Sequence, residues 1–180
     1  MTLKMRNSVL LSAFAMIMVL LVSDNLMAQK AVEPRPSPMS VAKMKKDDAY
    51  IKITYSQPHL RNRKMLGDQV PYGQVWRLGA NEATEITLTK DVTIGGKKVE
   101  AGTYSMFAIP EKNQWTIILN SELGLWGAYE YDESKDVVRF EVPVQKSREK
   151  YEPFTIKFNE TGTAMMMMWD DAMVEVPVEV

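Results

Sequence analysis

Glu85-Ile86-Thr87-Leu88-Thr89-Lys90-Asp91-Val92-Thr93-Ile94-Gly95-Gly96-Lys97-Lys98-Val99 is the stretch whose reading decides the fold. Polar and apolar residues alternate strictly from Glu85 to Thr89, which places Ile86 and Leu88 on one face of a strand. Val92 and Ile94 repeat that spacing and run into Gly95-Gly96. This dipeptide tolerates positive φ at both central positions of a tight hairpin. Val99 then begins the return.

The same signals extend in both directions. Upstream, Tyr50, Ile51, Ile53 and Tyr55 interleave with Lys52 and Thr54 before Pro58 stops the run. Downstream, Ala101-Gly102 makes a short corner, residues 103–109 form a strand closed by Pro110, and residues 115–119 return across a polar turn. Residues 137–144, 154–158, 163–169 and 173–178 complete the set, with Phe154, Ile156 and Phe158 alternating cleanly. About nine or ten short strands at regular spacing predict an all-β fold, an antiparallel β-sandwich of jelly-roll-like or Ig-like type. Residues 121–131 have room for a helical turn, which Gly124 and Gly127 disfavour.

The first residues have the order of a secretion signal. Lys4 and Arg6 give a positive start, and residues 9–22 form an apolar run of about 14 residues, within the ~7–15 of such a core. A membrane-spanning helix needs about 20 apolar residues, so the run is short for an anchor. Leu26-Met27-Ala28 offers a small residue before a cut near Ala28/Gln29. The expectation is a signal peptide over 1–28 and a secreted or periplasmic protein with no membrane anchor after cleavage. Residues 29–48 hold Pro34, Pro36 and Pro38 and then Lys43, Lys45 and Lys46, which predicts a flexible linker ahead of a single domain over 49–180.

Composition narrows the function classes. The chain has no Cys, one His and a formal net charge of −1. Without Cys, neither disulfides nor a lipid-bearing cysteine is available, and the core must hold by packing. Near-neutral charge argues against a nucleic-acid partner, which needs a basic face to displace counterions. A mature chain of about 150 residues is long enough to bury one core.

The block Val70-Pro71-Tyr72-Gly73-Gln74-Val75-Trp76-Arg77-Leu78-Gly79-Ala80-Asn81-Glu82-Ala83-Thr84 reads as a signature. Together with Ala101-Gly102-Thr103-Tyr104-Ser105, Trp115-Thr116-Ile117-Ile118, Trp126-Gly127 and Asp136-Val137-Val138-Arg139, it strongly resembles the domain-of-unknown-function family 2911 of exported bacterial proteins. The resemblance runs from about Tyr50 to the C-terminus. It implies export and brings no activity, substrate or catalytic residue with it. One departure stands out: Asn62 precedes Arg63 where the pattern usually has Gly, and Asn also tolerates the left-handed region.

A nucleophilic triad needs a nucleophile beside a base. With no Cys and only His59, which follows Pro58, no such set is visible, and zinc sites normally draw on several Cys and His ligands. No metal and no cofactor is therefore expected. Asp132-Glu133-Ser134-Lys135-Asp136 lacks the Gly and terminal Glu of a calcium loop and reads as a solvated turn. In a strand, Met165 and Met167 part from Met166 and Met168, so the four-Met run splits across two faces and makes a poor copper site.

Candidate site residues are Tyr72, Trp76, Arg77, Asn81 and Glu82 in the signature block, with Trp126. An aromatic wall, a guanidinium fork and an amide suit a sugar or a carboxylate ligand. Two readings of these residues stay open. In one they form a ligand site; in the other Arg77 pairs with Glu82, Trp76 enters the core and Asn81 satisfies a turn. The leading expectation is a non-enzymatic module that binds a small molecule, glycan or protein. The alternatives are a secreted hydrolase using Glu82, Glu130, Asp132 or Asp136 as paired carboxylates, and a domain that docks a partner through a strand edge or the Trp126 loop.

Overall fold

Ile51 and Ile53 of one strand face Leu88 and Ile86 of the next, and this apolar ladder seeds the sheet. The computed structural model describes residues 34–180; the signal peptide expected over 1–28 lies outside them. Nine strands are present among the described residues: β1 Met39–Lys46, β2 Ala49–Ser56, β3 Ala80–Leu88, β4 Val92–Ile94, β5 Lys97–Val99, β6 Gly102–Pro110, β7 Gln114–Asn120, β8 Asp136–Phe158 and β9 Ala164–Glu179. They pair antiparallel throughout, in the order β1-β2-β3-β6-β7-β8-β9-β4-β5. The fold is nearly all-β and sandwich-like, as expected.

β8 serves two neighbours in turn. Up to Pro143 it pairs with β7, and from Val144 it pairs with β9. The end of β9 then pairs with β4, Ile94 facing Val178, so the mid-chain hairpin β4–β5 is closed by the last strand. Gly95 and Gly96 both have positive φ, 57° and 75°, as the hairpin turn between those strands requires. The two stretches of sheet enclose a core of Ile51, Ile53, Leu78, Ile86, Met106, Trp115, Ile117, Phe154, Met165, Met167, Trp169, Val174 and Val176, among others. Across this core the backbone N–H of Ile156 in β8 donates to the Tyr55 hydroxyl of β2, 3.0 Å away.

Two boundaries differ from the sequence expectation. Residues 39–46 are not linker but the edge strand β1, paired with β2 from Met39↔Ser56 to Lys46↔Ala49. Lysines at alternate positions stay in water while Ala42 and Met44 turn into the core, a pattern that lysine-rich composition hid. The four C-terminal strands merge into two long ones. Between them, residues 145–153 are polar because that part of the β8–β9 hairpin stands in solvent, and shifts of register carry it past Asp170, whose φ is 52°. Residues 121–131 form no helix, in keeping with Gly124 and Gly127, and the one helical turn among the described residues, Glu133–Lys135, falls just after them.

The loop over 121–131 covers the outer face of β3, β6 and β7. Leu125 packs there with Ala83, Phe107 and Ile118 as a second apolar cluster. Ser105 donates to the Glu122 carbonyl at 2.6 Å and Asn120 to the Asp132 carbonyl at 2.9 Å, so buried polar groups pin both ends of the loop. The methionine run divides as strand geometry dictates. Met165 and Met167 enter the main core, and on the opposite face Met168 is buried and Met166 half-buried.

Candidate functional site

The signature block folds as a self-bonded turn that leads into β3. Trp76 Nε1 donates to the Gly79 carbonyl at 2.9 Å, and Thr84 Oγ1 donates to the Leu78 carbonyl at 2.6 Å. Leu78 is fully buried at φ 52°, an uncommon conformation for a bulky residue that these bonds hold in place. Gly79 has no room for a side chain, since a Cβ there would lie 2.9 Å from the Ser56 carbonyl oxygen.

The six candidate residues do not converge on one pocket. Trp76 belongs to the core: it stacks on Trp169 with ring centroids 5.5 Å apart and meets Trp115 and Phe154 edge-on. Arg77 lines a cleft of about 360 Å³ with Gln69, Pro71, Gln74 and Tyr129, and its buried Nε has no partner among the described residues. Asn81, at φ 57°, donates to the Ser37 carbonyl and accepts from the Gly127 N–H through its own carbonyl. Trp126 is 57% exposed, and its backbone bridges to Glu82.

Glu82 pairs with a residue outside the block. Arg35 Nη1 lies 2.6 Å and 2.9 Å from its two carboxylate oxygens, so the Arg77–Glu82 pair considered from sequence does not form. The Arg35 hydrogen bonds, then a backbone amide, hold the Glu82 carboxyl below its ordinary range. Asp136 accepts from Tyr131 at 2.7 Å and from Arg139, and Asp132 caps the Glu133–Lys135 turn by accepting from the Ser134 N–H. Three of the four carboxylates named for a hydrolase are thus held in local structure. Among the described residues, no three His, Asp or Glu side chains gather as a metal-binding group.

Tyr72 leads to a different cleft. It presses over Gly67, where a Cβ would fall 2.4 Å from its ring, and so shapes the loop after β2. Arg61 and Asn62 in that loop both have positive φ, 49° and 58°, so Asn62 adopts the left-handed conformation that asparagine tolerates. The loop, the β6–β7 turn, and β8 with β9 enclose a cleft of about 390 Å³. Leu60, Met65, Leu66, Tyr72, Val144 and Trp169 supply its apolar walls, and Lys64, Lys112, Lys146, Asp170 and Asp171 supply its charges.

Trp169 is 1% exposed, and its indole N–H has no hydrogen-bond partner among the described residues. A buried donor left unmade costs about 1–3 kcal/mol. Its stacking partner Trp76, by contrast, is satisfied by Gly79. Sequence reasoning missed this cleft. Its residues come from four separate stretches, and the one local signal was Trp169-Asp170-Asp171, an aromatic followed by two acids inside an apolar strand.

Fold and clefts together define a sandwich-like, nearly all-β domain with a partly apolar pocket beside its β8–β9 hairpin. The chain belongs to the family described as "Protein of unknown function (DUF2911)", whose model matches residues 37–178. That match takes in β1, which the resemblance read from sequence had left outside. No curated protein and no solved structure matches the chain.

Proposed function

We propose that the domain is a non-catalytic binding module, acting outside the cytoplasm, that takes a small molecule in the cleft floored by Trp169. The carrying observation is a cleft of about 390 Å³ in which Leu60, Met65, Leu66 and Tyr72 stand beside lysine and aspartate side chains. A concave pocket of this size that combines apolar walls with polar groups is a usual form of small-molecule site. Glu82, Asp132 and Asp136 are engaged elsewhere, which weighs against a hydrolase built on them.

Action outside the cytoplasm rests on the three-part N-terminal pattern, and mass spectrometry of the exported protein tests it. The expected mature N-terminus is Gln29. For the cleft, a thermal-shift screen against small carboxylic acids, sugars and peptides is the direct test, because ligands of the native state raise Tm by mass action. Leu66→Trp, which fills the cleft, is expected to abolish the shift from an active compound. A shift that survives this change would move the site elsewhere.

A further inference from the structure

We infer that the domain has a second binding place, apart from the Trp169 cleft. The cleft of about 360 Å³ between the signature turn and the loop over 121–131 takes one ring of a saccharide. The C–H face of the sugar lies on Tyr129, and its hydroxyls meet the Gln69 and Gln74 carboxamides and the Arg77 guanidinium.

Tyr129 is 83% exposed, and Trp126, three residues before it, is 57% exposed. The backbone around them is nonetheless fixed. The Gly127 N–H donates to the Asn81 carbonyl at 3.0 Å, and the Tyr131 hydroxyl is held by Asp136 and Arg139. Gly127 has φ 72°, and a Cβ there would lie 2.9 Å from the Tyr129 ring. One edge of the ring therefore rests against the backbone while most of it stays open. A tyrosine held in this way is a broad contact surface with little freedom left to lose on binding.

The polar side chains of the cleft are free to bond outward. Among the described residues, Gln69, Gln74 and Arg77 make no side-chain hydrogen bond and no ion pair. Both glutamines are exposed. A carboxamide donates and accepts, and a guanidinium only donates. Sugar hydroxyls do both and so complement all three. Arg77 Nη1 would lie 3.5 Å from the same Gly127 Cβ, which sets this nitrogen beside the Tyr129 ring, whereas its closed-off Nε takes no part.

The mixture of groups selects the occupant. Pro71 and the tyrosine ring stand among the carboxamides, and the lining holds neither a carboxylate nor a lysine. A ring with a C–H face and a rim of hydroxyls matches such a wall. A membrane surface does not, because residues 121–131 carry Glu122 and Glu130 and no Lys or Arg to meet anionic headgroups. The opposite wall is preformed. Trp76 exchanges backbone hydrogen bonds with Ala108 at 2.7 Å and 2.9 Å, and the Gly73 N–H donates to the Pro110 carbonyl at 3.0 Å.

Saturation-transfer NMR on the exported protein tests the inference with cellopentaose, chitopentaose, maltopentaose and pentagalacturonate. Vesicles of phosphatidylcholine and phosphatidylglycerol, read by co-sedimentation, form the membrane arm. The expected result is transfer to the ring C–H protons of at least one of these sugars. Tyr129→Ala should weaken that sugar by about tenfold or more while leaving Tm nearly unchanged, since the side chain stands in water. Gln74→Ala, outside the loop, should weaken it by roughly threefold, the loss of one hydrogen bond, and serves where Tyr129→Ala disturbs the loop.

A sugar held equally well by the native protein and both variants would overturn the assignment of the cleft. Loss of the sugar with Leu66→Trp but not with Tyr129→Ala would place it beside Trp169, which overturns this inference and upholds the earlier reading. Silence from all four sugars, or vesicle binding that Tyr129→Ala abolishes, would overturn the saccharide. A compound whose thermal shift is lost with Leu66→Trp would stand for the Trp169 cleft in either case.

Discussion

Arg35 and Glu82 are joined by one guanidinium nitrogen that reaches both carboxylate oxygens, at 2.6 Å and 2.9 Å. The contact draws the proline-spaced segment across the start of β3. Three further bonds follow the same path: Arg61 to the Pro36 carbonyl, Asn81 to the Ser37 carbonyl, and the Gln57 N–H to the Pro38 carbonyl. From Arg35 onward the segment is a strap on the domain.

The pH dependence of this strap has a definite sign. Because the Glu82 carboxyl is lowered from its ordinary 4.5, chiefly by Arg35, the pair stabilises the fold above that value. Its contribution disappears as pH falls through the lower folded value. Both side chains are substantially exposed, so the pair is worth at most about 1 kcal/mol. Arg35→Ala is expected to lower Tm slightly at pH 7 and to flatten the acid limb below pH 4.5. Thermal melts from pH 3 to 7 check this, and an acid limb of unchanged slope would count against the assignment.

Tyr131 predicts a second pH effect at the opposite end. Burial, with the hydrogen bond to Asp136, pushes its phenol up to about 12, and the Arg139 contact only partly offsets this. A raised folded pKa means full stabilisation below the unfolded value near 10. That stabilisation is lost as pH rises from 10 through about 12. Tyr131→Phe should remove this part of the alkaline loss, as read from denaturant midpoints between pH 8 and 12.

The two tryptophans among the candidates should respond very differently. Trp76→Ala removes a buried ring packed on three other aromatics and is expected to cost about 3–5 kcal/mol. Trp126→Ala, at an exposed position, should change stability by no more than about 0.5 kcal/mol. Urea denaturation of both proteins gives the comparison.

The β4–β5 turn separates conformational strain from clash. Gly95→Ala must hold φ near 57° and would place a Cβ 2.2 Å from the Phe140 ring. A cost of about 1–3 kcal/mol beyond the turn strain is expected. Gly96→Ala has φ near 75° but open space around it, so only the strain of about 1 kcal/mol remains. Phe140→Leu should recover part of the loss in Gly95→Ala and none in Gly96→Ala.

Alternation at residues 85–89 and the Gly95-Gly96 turn were readable because strand period and turn chemistry are local. The merging of the C-terminal strands was not. Residues 145–153 look like a loop when burial is the guide, and a hairpin arm standing in water satisfies its backbone without burying side chains. β1 was hidden for a related reason, since an edge strand carries lysines on the face that water reaches. The site lay further from reach. Trp76 and Arg77 are neighbours in sequence, yet one enters the core and the other lines a surface cleft. The Trp169 cleft depends on the loop after β2 meeting β9, a contact that no local pattern encodes.

The pairing of Ile94 with Val178 also sets a clock. A ribosome releases a chain from the N-terminal side onward, and β4 must wait with an unpaired edge until β9 emerges. Until then Val92 and Ile94 have no lid, and the fold cannot close before β9 has emerged. Chains that lack residues 177–180 should therefore be protease-sensitive at the β4–β5 hairpin, far along the sequence from the missing end.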